Sequence, residues 1–162
     1  MGRASVKENK NIYFRCREEL KLTREQASEL LEAVTADRIE KIENERSLPQ
    51  PDEVYIMSDK YKAPELCNFY CANQCPIGKH YVPEVKVEAL SQIILGLVAS
   101  LNSVEDKKDR LIEIAADGEI DREEFGDFQN IRKELERISL TVEALQLWTE
   151  KMEAEGKIGE QG

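Results

Sequence analysis

The C-terminal half of the chain carries two long heptad repeats, and a sequence of this kind can fold into very few arrangements. In each repeat, residues of one helix face recur at alternating intervals of three and four, as in a coiled coil. The first repeat is Val87, Leu90, Ile94, Leu97, Leu101, Val104, Lys108, Leu111 and Ala115, and the second is Phe128, Ile131, Leu135, Ile138, Val142, Leu145, Thr149 and Met152. The intervening segment, 116–121, contains Gly118 and predicts a turn. Two helices of about 30 residues joined so tightly must fold back as an antiparallel, coiled-coil-like hairpin on the order of 40 Å long.

Further apolar residues lie beside the two repeats and widen each stripe beyond a two-helix contact: Ile93, Val98, Ile112, Leu147 and Trp148. A hairpin on its own would leave them in water. We therefore expect either a homodimeric four-helix bundle or packing of the hairpin on the N-terminal part of the chain. The polar repeat residues Lys108 and Thr149 can set the register. The sequence predicts a hairpin over residues 84–155, with dimerisation as its role, followed by a flexible tail over 156–162.

Composition favours an all-α fold. The 162 residues are 41% hydrophobic, 35% charged and only 6% aromatic, which is enough to bury a core but poor in strand-forming residues. No apolar run approaches the roughly 20 residues that a membrane-spanning helix needs. The first ten residues lack the apolar block of a signal peptide. We therefore expect a cytoplasmic protein with no membrane contact, whose four cysteines are reduced.

Two short helices joined by a tight turn are predicted in the N-terminal third. Thr23 and Thr35 are suited to cap the helix starts, because a hydroxyl oxygen can accept from an otherwise unpaired amide of a first helical turn. Ile39 and Ile42, three residues apart, define the buried face of the second helix. The remaining faces of that helix are polar. We predict one domain over residues 1–64 that contains this pair.

The segment from Ile12 to about Lys62 resembles the lambda-repressor/Cro-like (XRE) helix-turn-helix family. The residues that carry the resemblance are those of 16–23 (CREELKLT), 39–44 (IEKIEN) and 46–49 (RSLP). The resemblance implies that the helix over 35–44 enters the major groove of double-stranded DNA and that the start of the preceding helix contacts the backbone. The DNA-binding residues that it implies are Arg24, Thr35, Ala36, Asp37, Arg38 and Lys41.

The chemistry of these side chains suggests individual roles. Arg24 is expected near a phosphate, Arg38 can read guanine through its two-donor fork, and Asp37 can accept from cytosine N4. Glu43 is expected to brace the helix rather than to meet DNA. Three features depart from the family pattern, and the first is Arg24, where the family often has glutamine. The turn over 31–35 has no glycine, and Glu45 follows Asn44 where the family often has glycine, the residue that adopts a positive φ without steric cost.

Charge is distributed unevenly along the chain. The net charge is −10 overall, yet residues 1–64 hold 12 basic and 13 acidic residues, a net of −1, whereas residues 65–162 hold 11 and 20, a net of −9. Phosphate contacts therefore belong to the N-terminal part. Nonspecific affinity for DNA is expected to be weak and salt-sensitive, and this charge count does not exclude a specific site.

Three of the four cysteines, Cys67, Cys71 and Cys75, follow one another at intervals of four in the predicted connector over 65–83. On a helix they would form one stripe. A structural zinc site, with His80 or Cys16 as fourth ligand, is one interpretation, although the spacing is not a standard zinc pattern. Disulfide-based redox sensing and simple packing are the others, and packing is favoured, so no cofactor is expected. Cys16 itself is expected in the core of the first domain.

The sequence shows no catalytic constellation. It has one histidine, no nucleophile elbow and no phosphate-binding glycine-rich loop, so an enzyme is not expected. Two hypotheses remain. The first is a dimeric, sequence-specific DNA-binding transcriptional regulator. The second is a protein-interaction adaptor on a helix-turn-helix scaffold that no longer binds DNA.

Overall fold

The computed structural model describes residues 10–159, and over that range its only regular secondary structure is helix, as composition predicted. The described helices are α1 (Ile12–Glu19), α2 (Arg24–Leu31), α3 (Ala36–Glu43), α4 (Pro51–Lys60), α5 (Glu65–Asn73), α6 (Gly78–Tyr81), α7 (Leu90–Glu105), α8 (Lys108–Ala115) and α9 (Phe125–Ala154). No helix in this range is long and apolar enough to cross a membrane. Of the predicted flexible tail, residues 160–162 lie outside the described residues.

The helices form two compact units. One unit takes in Met1–Glu84 together with Lys151–Gly162, and the other is Val85–Glu150. The first unit therefore does not end at residue 64, where the sequence suggested a boundary, because the predicted connector continues it. The end of α9 also belongs to this unit, in which Lys151 Nζ lies 2.7 Å from Glu65 Oε1.

One apolar core organises the first unit. Its buried side chains come from α1 to α5 and the turns between them: Tyr13, Cys16, Ala27, Leu31, Val34, Ile39, Ile42, Val54, Met57, Tyr61, Ala63 and Leu66. The expectation that Cys16 is a core residue is confirmed. The connector joins the core because Leu66 is fully buried, while the Tyr13 hydroxyl donates to Gln74 Oε1 at 2.7 Å. Sequence periodicity missed this packing because α5 shows little apolar contrast between its faces.

Both predicted threonine caps are confirmed. Thr23 Oγ1 accepts from Gln26 N at 3.2 Å, and the Gln26 side chain accepts in return from Thr23 N at 2.9 Å, which makes a capping box at the start of α2. Thr35 Oγ1 accepts from Arg38 N at 3.3 Å at the start of α3. These bonds fix where both helices begin.

Each of the first four helices is followed, one or two residues after its last residue, by a residue with positive φ that is not glycine: Lys21 (56°), Glu32 (60°), Glu45 (57°) and Lys62 (56°). Glu45 and Glu32 are the more informative pair, because they occupy the two places at which the sequence lacked an expected glycine. Glu45 closes α3 in a Schellman motif, donating to Ile42 O at 3.1 Å. Glu32 is the centre of a three-residue turn in which Ala33 N donates to Leu31 O at 2.6 Å.

The second unit contains α7, α8 and most of α9. The single helix expected over 87–115 is divided, since a turn at Asp106 and Lys107 separates α7 from α8. The predicted repeat residues are not all inward-facing either: Leu90, Ile94, Leu101, Leu135 and Val142 are 39–49% exposed. Ile93 and Leu147, expected beside the repeats, are instead buried. The covered face of α7 contains residues 93, 97, 100 and 104. The predicted face contained 94, 97, 101 and 104, so residues 93 and 100 replace 94 and 101.

Candidate nucleic-acid interface

α3 combines a buried apolar face with an exposed polar one. Ile39 and Ile42 are 1% and 2% exposed and fix the helix on the core of the first unit. Asp37 and Lys41 are exposed on other faces, beside the exposed cap Thr35 and the half-buried Ala36. This arrangement brings five of the six predicted DNA-binding residues onto one helix and its cap. The sixth, Arg24, begins α2.

Arg38 is held by α4 and by the loop before it. Its guanidinium forms a two-point salt bridge with Glu53, with Nε 2.7 Å from Oε1 and Nη2 2.7 Å from Oε2. It also donates to Ser47 Oγ at 2.5 Å and to Leu48 O at 2.9 Å. The hydrogen bond to Arg38 and its charge lower the pKa of Glu53, against the opposing effect of burial. The donors that would read guanine are thus engaged within the domain, and we call this cluster the Arg38 clamp.

A second clamp holds the other end of α3. The Glu43 side chain is 1% exposed, and Arg17 approaches it with Nε 2.5 Å from Oε1 and Nη2 2.9 Å from Oε2. Arg24 Nε adds a bond of 2.8 Å to Glu43 Oε2. The hydrogen bond to Glu43 raises the pKa of Arg17 above its ordinary value. The interpretation of Glu43 as a brace is confirmed, and we call Arg17, Glu43 and Arg24 the Glu43 clamp.

The two arginines of the Glu43 clamp differ in their freedom. The Arg17 side chain is 8% exposed and also donates to Leu22 O at 2.6 Å, whereas that of Arg24 is 33% exposed. Because Arg17 already neutralises Glu43, Arg24 can turn towards an approaching phosphate without leaving the buried carboxylate unpaired. On the exposed face, Lys41 Nζ lies 2.7 Å from Asp37 Oδ2, one helical turn away. An exposed pair of this kind is weak and readily exchanged.

No family model, curated protein or solved structure matches the chain. The assignment of this site therefore depends on its geometry. Sequence reasoning located α3 and Arg24 but missed Arg17, Ser47 and Glu53 as members of the site. The only sequence signal of Arg17 and Glu53 is charge opposite in sign to a partner 26 or 15 residues away. Ser47, which is uncharged, carries no such signal.

The cysteine cluster has a different arrangement from the predicted helical stripe. Cys67 and Cys71 lie in α5, which ends at Asn73, so Cys75 falls in the following turn, where its Sγ accepts from Gly78 N at 3.4 Å. All four cysteines are free thiols. Within residues 10–159, no group of three or more His, Cys, Asp or Glu side chains is placed to hold a metal ion. Burial, followed by the neighbouring Cys75, raises the pKa of Cys71, which disfavours the thiolate needed for metal binding or oxidation.

Proposed function

We propose that the protein is a sequence-specific regulator of transcription that binds double-stranded DNA, with α2 and α3 acting as a helix-turn-helix. The supporting observation is that α3 is clamped at both ends, at Arg38 and at Glu43, while its polar face stays exposed. Readout in the major groove needs side chains presented by a rigid helix, because a loosely held helix cannot discriminate between base edges. Ala36, Asp37 and Lys41 are then the residues that meet bases.

Arg24 and Arg38 take different roles in this proposal. Arg24, exposed in part and bonded to an already neutralised carboxylate, leaves the Glu43 clamp for a phosphate. Arg38 stays in its clamp and orients α3, since removing it would leave the Glu53 carboxylate, 16% exposed, with the Gln50 amide and no cation. The interaction with guanine expected from the sequence therefore passes to Lys41, which can donate to the same acceptors.

In this proposal the second unit mediates dimerisation. Arg110 of α8 lies with Nε 2.8 Å from Oδ2 of Asp127 in the first turn of α9, so the end of one helix meets the beginning of the other. We propose that the chain reverses there into an antiparallel hairpin and that two copies associate through it. A symmetric dimer would read two half-sites related by a two-fold axis.

One observation favours the adaptor as an alternative. Each of the three predicted basic contacts, Arg24, Arg38 and Lys41, is paired with a carboxylate of the same chain. Such a face attracts phosphates weakly and suits a protein partner with mixed charge. In this case the clamps would serve only to keep the scaffold rigid.

The test is selection of bound sequences from a random DNA pool at two salt concentrations. A regulator enriches a two-fold symmetric motif with a steep salt slope. Lys41→Ala then costs about 1–3 kcal/mol at one base position, whereas the control Lys60→Ala, an exposed lysine on α4, leaves the motif unchanged. No enrichment at low salt from folded protein would overturn DNA binding and leave the adaptor.

A further inference from the structure

The exposed side of α7 carries an apolar stripe, defined as Leu90, Ile94, Val98 and Leu101. These residues are 39%, 39%, 49% and 49% exposed. Their intervals of four, four and three place them on one face of the helix. We propose that this α7 stripe, three of whose four residues belong to the first heptad repeat, is where a second copy of the chain docks. The inference rests on the hairpin proposed above and not on DNA binding.

The distribution of charge is compatible with a second copy as the occupant. Residues 90–104 contain no charged side chain, although the unit Val85–Glu150 holds 8 basic and 15 acidic residues, a net of −7. Two such units repel each other across most of their surfaces, and juxtaposed like charges cost several kcal/mol. The α7 stripe is uncharged, so two copies can meet there without this cost. Depletion of charge is also the compositional signal of an interface core.

A lipid surface fits the same stripe poorly. Helices that lie in a membrane interface carry lysine and arginine on their polar face, which anionic headgroups attract. α7 has no basic residue between Leu90 and Glu105, and the surrounding unit is acidic. An anionic membrane would repel this unit, so apolar contact alone would have to hold it.

α9 extends the apolar surface on the same side. Leu135 and Val142, 44% and 49% exposed, are displaced around α9 from its buried residue Ile131 in the same rotational sense as the α7 stripe is from Ile93. In an antiparallel pair, rotations in the same sense bring both stripes to one side. The six side chains expose on the order of 500 Å² per copy, or about 1,000 Å² for a pair, which reaches the lower range of specific interfaces.

Sedimentation equilibrium without DNA tests this interface. The wild-type chain is expected at twice the mass of one copy at micromolar concentration. Ile94→Glu places a carboxylate in each copy of the stripe and is expected to weaken the dimer at least tenfold. Leu140→Glu is the matched control. Leu140 is 38% exposed, close to the 39% of Ile94, but it lies on a face of α9 away from Leu135 and Val142. It is expected to leave the dimer intact.

Two further variants keep the test decisive. Val98→Gln and Leu101→Gln remove apolar surface without adding charge, so they report on the stripe even if Ile94→Glu does not fold, as circular dichroism would show. A monomeric wild-type chain, or stripe variants as dimeric as Leu140→Glu, would overturn the inference. A dimer that enriches no DNA sequence refutes only the regulator, and a monomer that still enriches single half-sites refutes only the interface.

Discussion

Arg38 and Glu53 join the first turn of α3 to the first turn of α4 through two parallel bonds, each 2.7 Å long. Arg38→Ala is expected to lower the free energy of unfolding by about 1–2 kcal/mol, because a two-point pair at 25% and 16% exposure is stronger than an ordinary surface pair. Urea unfolding measures this loss. Lys41→Ala breaks the exposed pair with Asp37 and is the control, with an expected loss below about 0.5 kcal/mol. Equal losses in the two variants would show that the Arg38 clamp does not stabilise α3.

The same salt bridge predicts a pH dependence. The pKa of Glu53 is lower in the folded protein than its ordinary value, so its contribution to stability is complete at neutral pH. It is lost as Glu53 becomes protonated, when the pH falls below the ordinary glutamate value of about 4 and through the lowered pKa. The difference in unfolding free energy between wild type and Arg38→Ala should therefore shrink over this range, as urea titrations at several pH values would show. A difference that stays constant down to pH 2 contradicts the assignment.

The Glu43 clamp predicts unequal effects at its two arginines. Arg17→Ala leaves the buried Glu43 with only the partly exposed Arg24, and we expect a loss of about 3 kcal/mol or more. Arg24→Ala keeps the Arg17 pair and is expected to cost about 1 kcal/mol at most. Thermal unfolding of the two variants measures the difference. The reverse order would mean that Arg24 is the main partner of Glu43.

The sequence predicted helices and caps well where local chemistry determines them. Thr23 and Thr35 cap their helices because a side-chain oxygen and nearby amides decide a helix start within four residues. The all-α class followed from composition because the chain is poor in strand-forming residues. Ile39 and Ile42 were assigned correctly to the buried face of α3, since three-residue spacing alone places them on one side.

Properties that depend on distant partners were not predictable. Arg38 was expected to face a base because the family resemblance implies it, and only the position of α4 shows that its guanidinium is bonded to Glu53. In the second unit, Ile93 and Ile94 are equally apolar, so periodicity could not decide which of them faces inward. Contacts with residues distant in sequence decide this, and they arise only in the folded arrangement.

Gly78 is expected to be irreplaceable at the start of α6. A Cβ atom there would lie 2.1 Å from the carbonyl oxygen of Cys71, which is backbone and cannot turn aside. Gly78→Ala should therefore cost about 2 kcal/mol by displacing α6 from α5. Gly96→Ala is the control, because a Cβ at Gly96 in α7 meets nothing within 4 Å and alanine favours a helix by about 1 kcal/mol. Denaturant unfolding should show a loss of stability for Gly78→Ala and a gain for Gly96→Ala. If Gly78→Ala leaves stability unchanged, α6 does not pack as described.

Glu45→Gly is expected to stabilise the protein. Glu45 holds a φ of 57° at the end of α3, in the left-handed region where a Cβ atom costs about 1–2 kcal/mol. Glycine removes this cost but adds freedom to the unfolded chain, so we expect a net gain of about 1 kcal/mol. Glu45→Ala separates conformation from charge, because it removes the carboxylate while keeping the Cβ atom, and it should leave stability within about 0.5 kcal/mol of wild type. If glycine and alanine raise the melting temperature equally, the gain comes from removing an acidic side chain near Glu43 and not from the backbone of the turn.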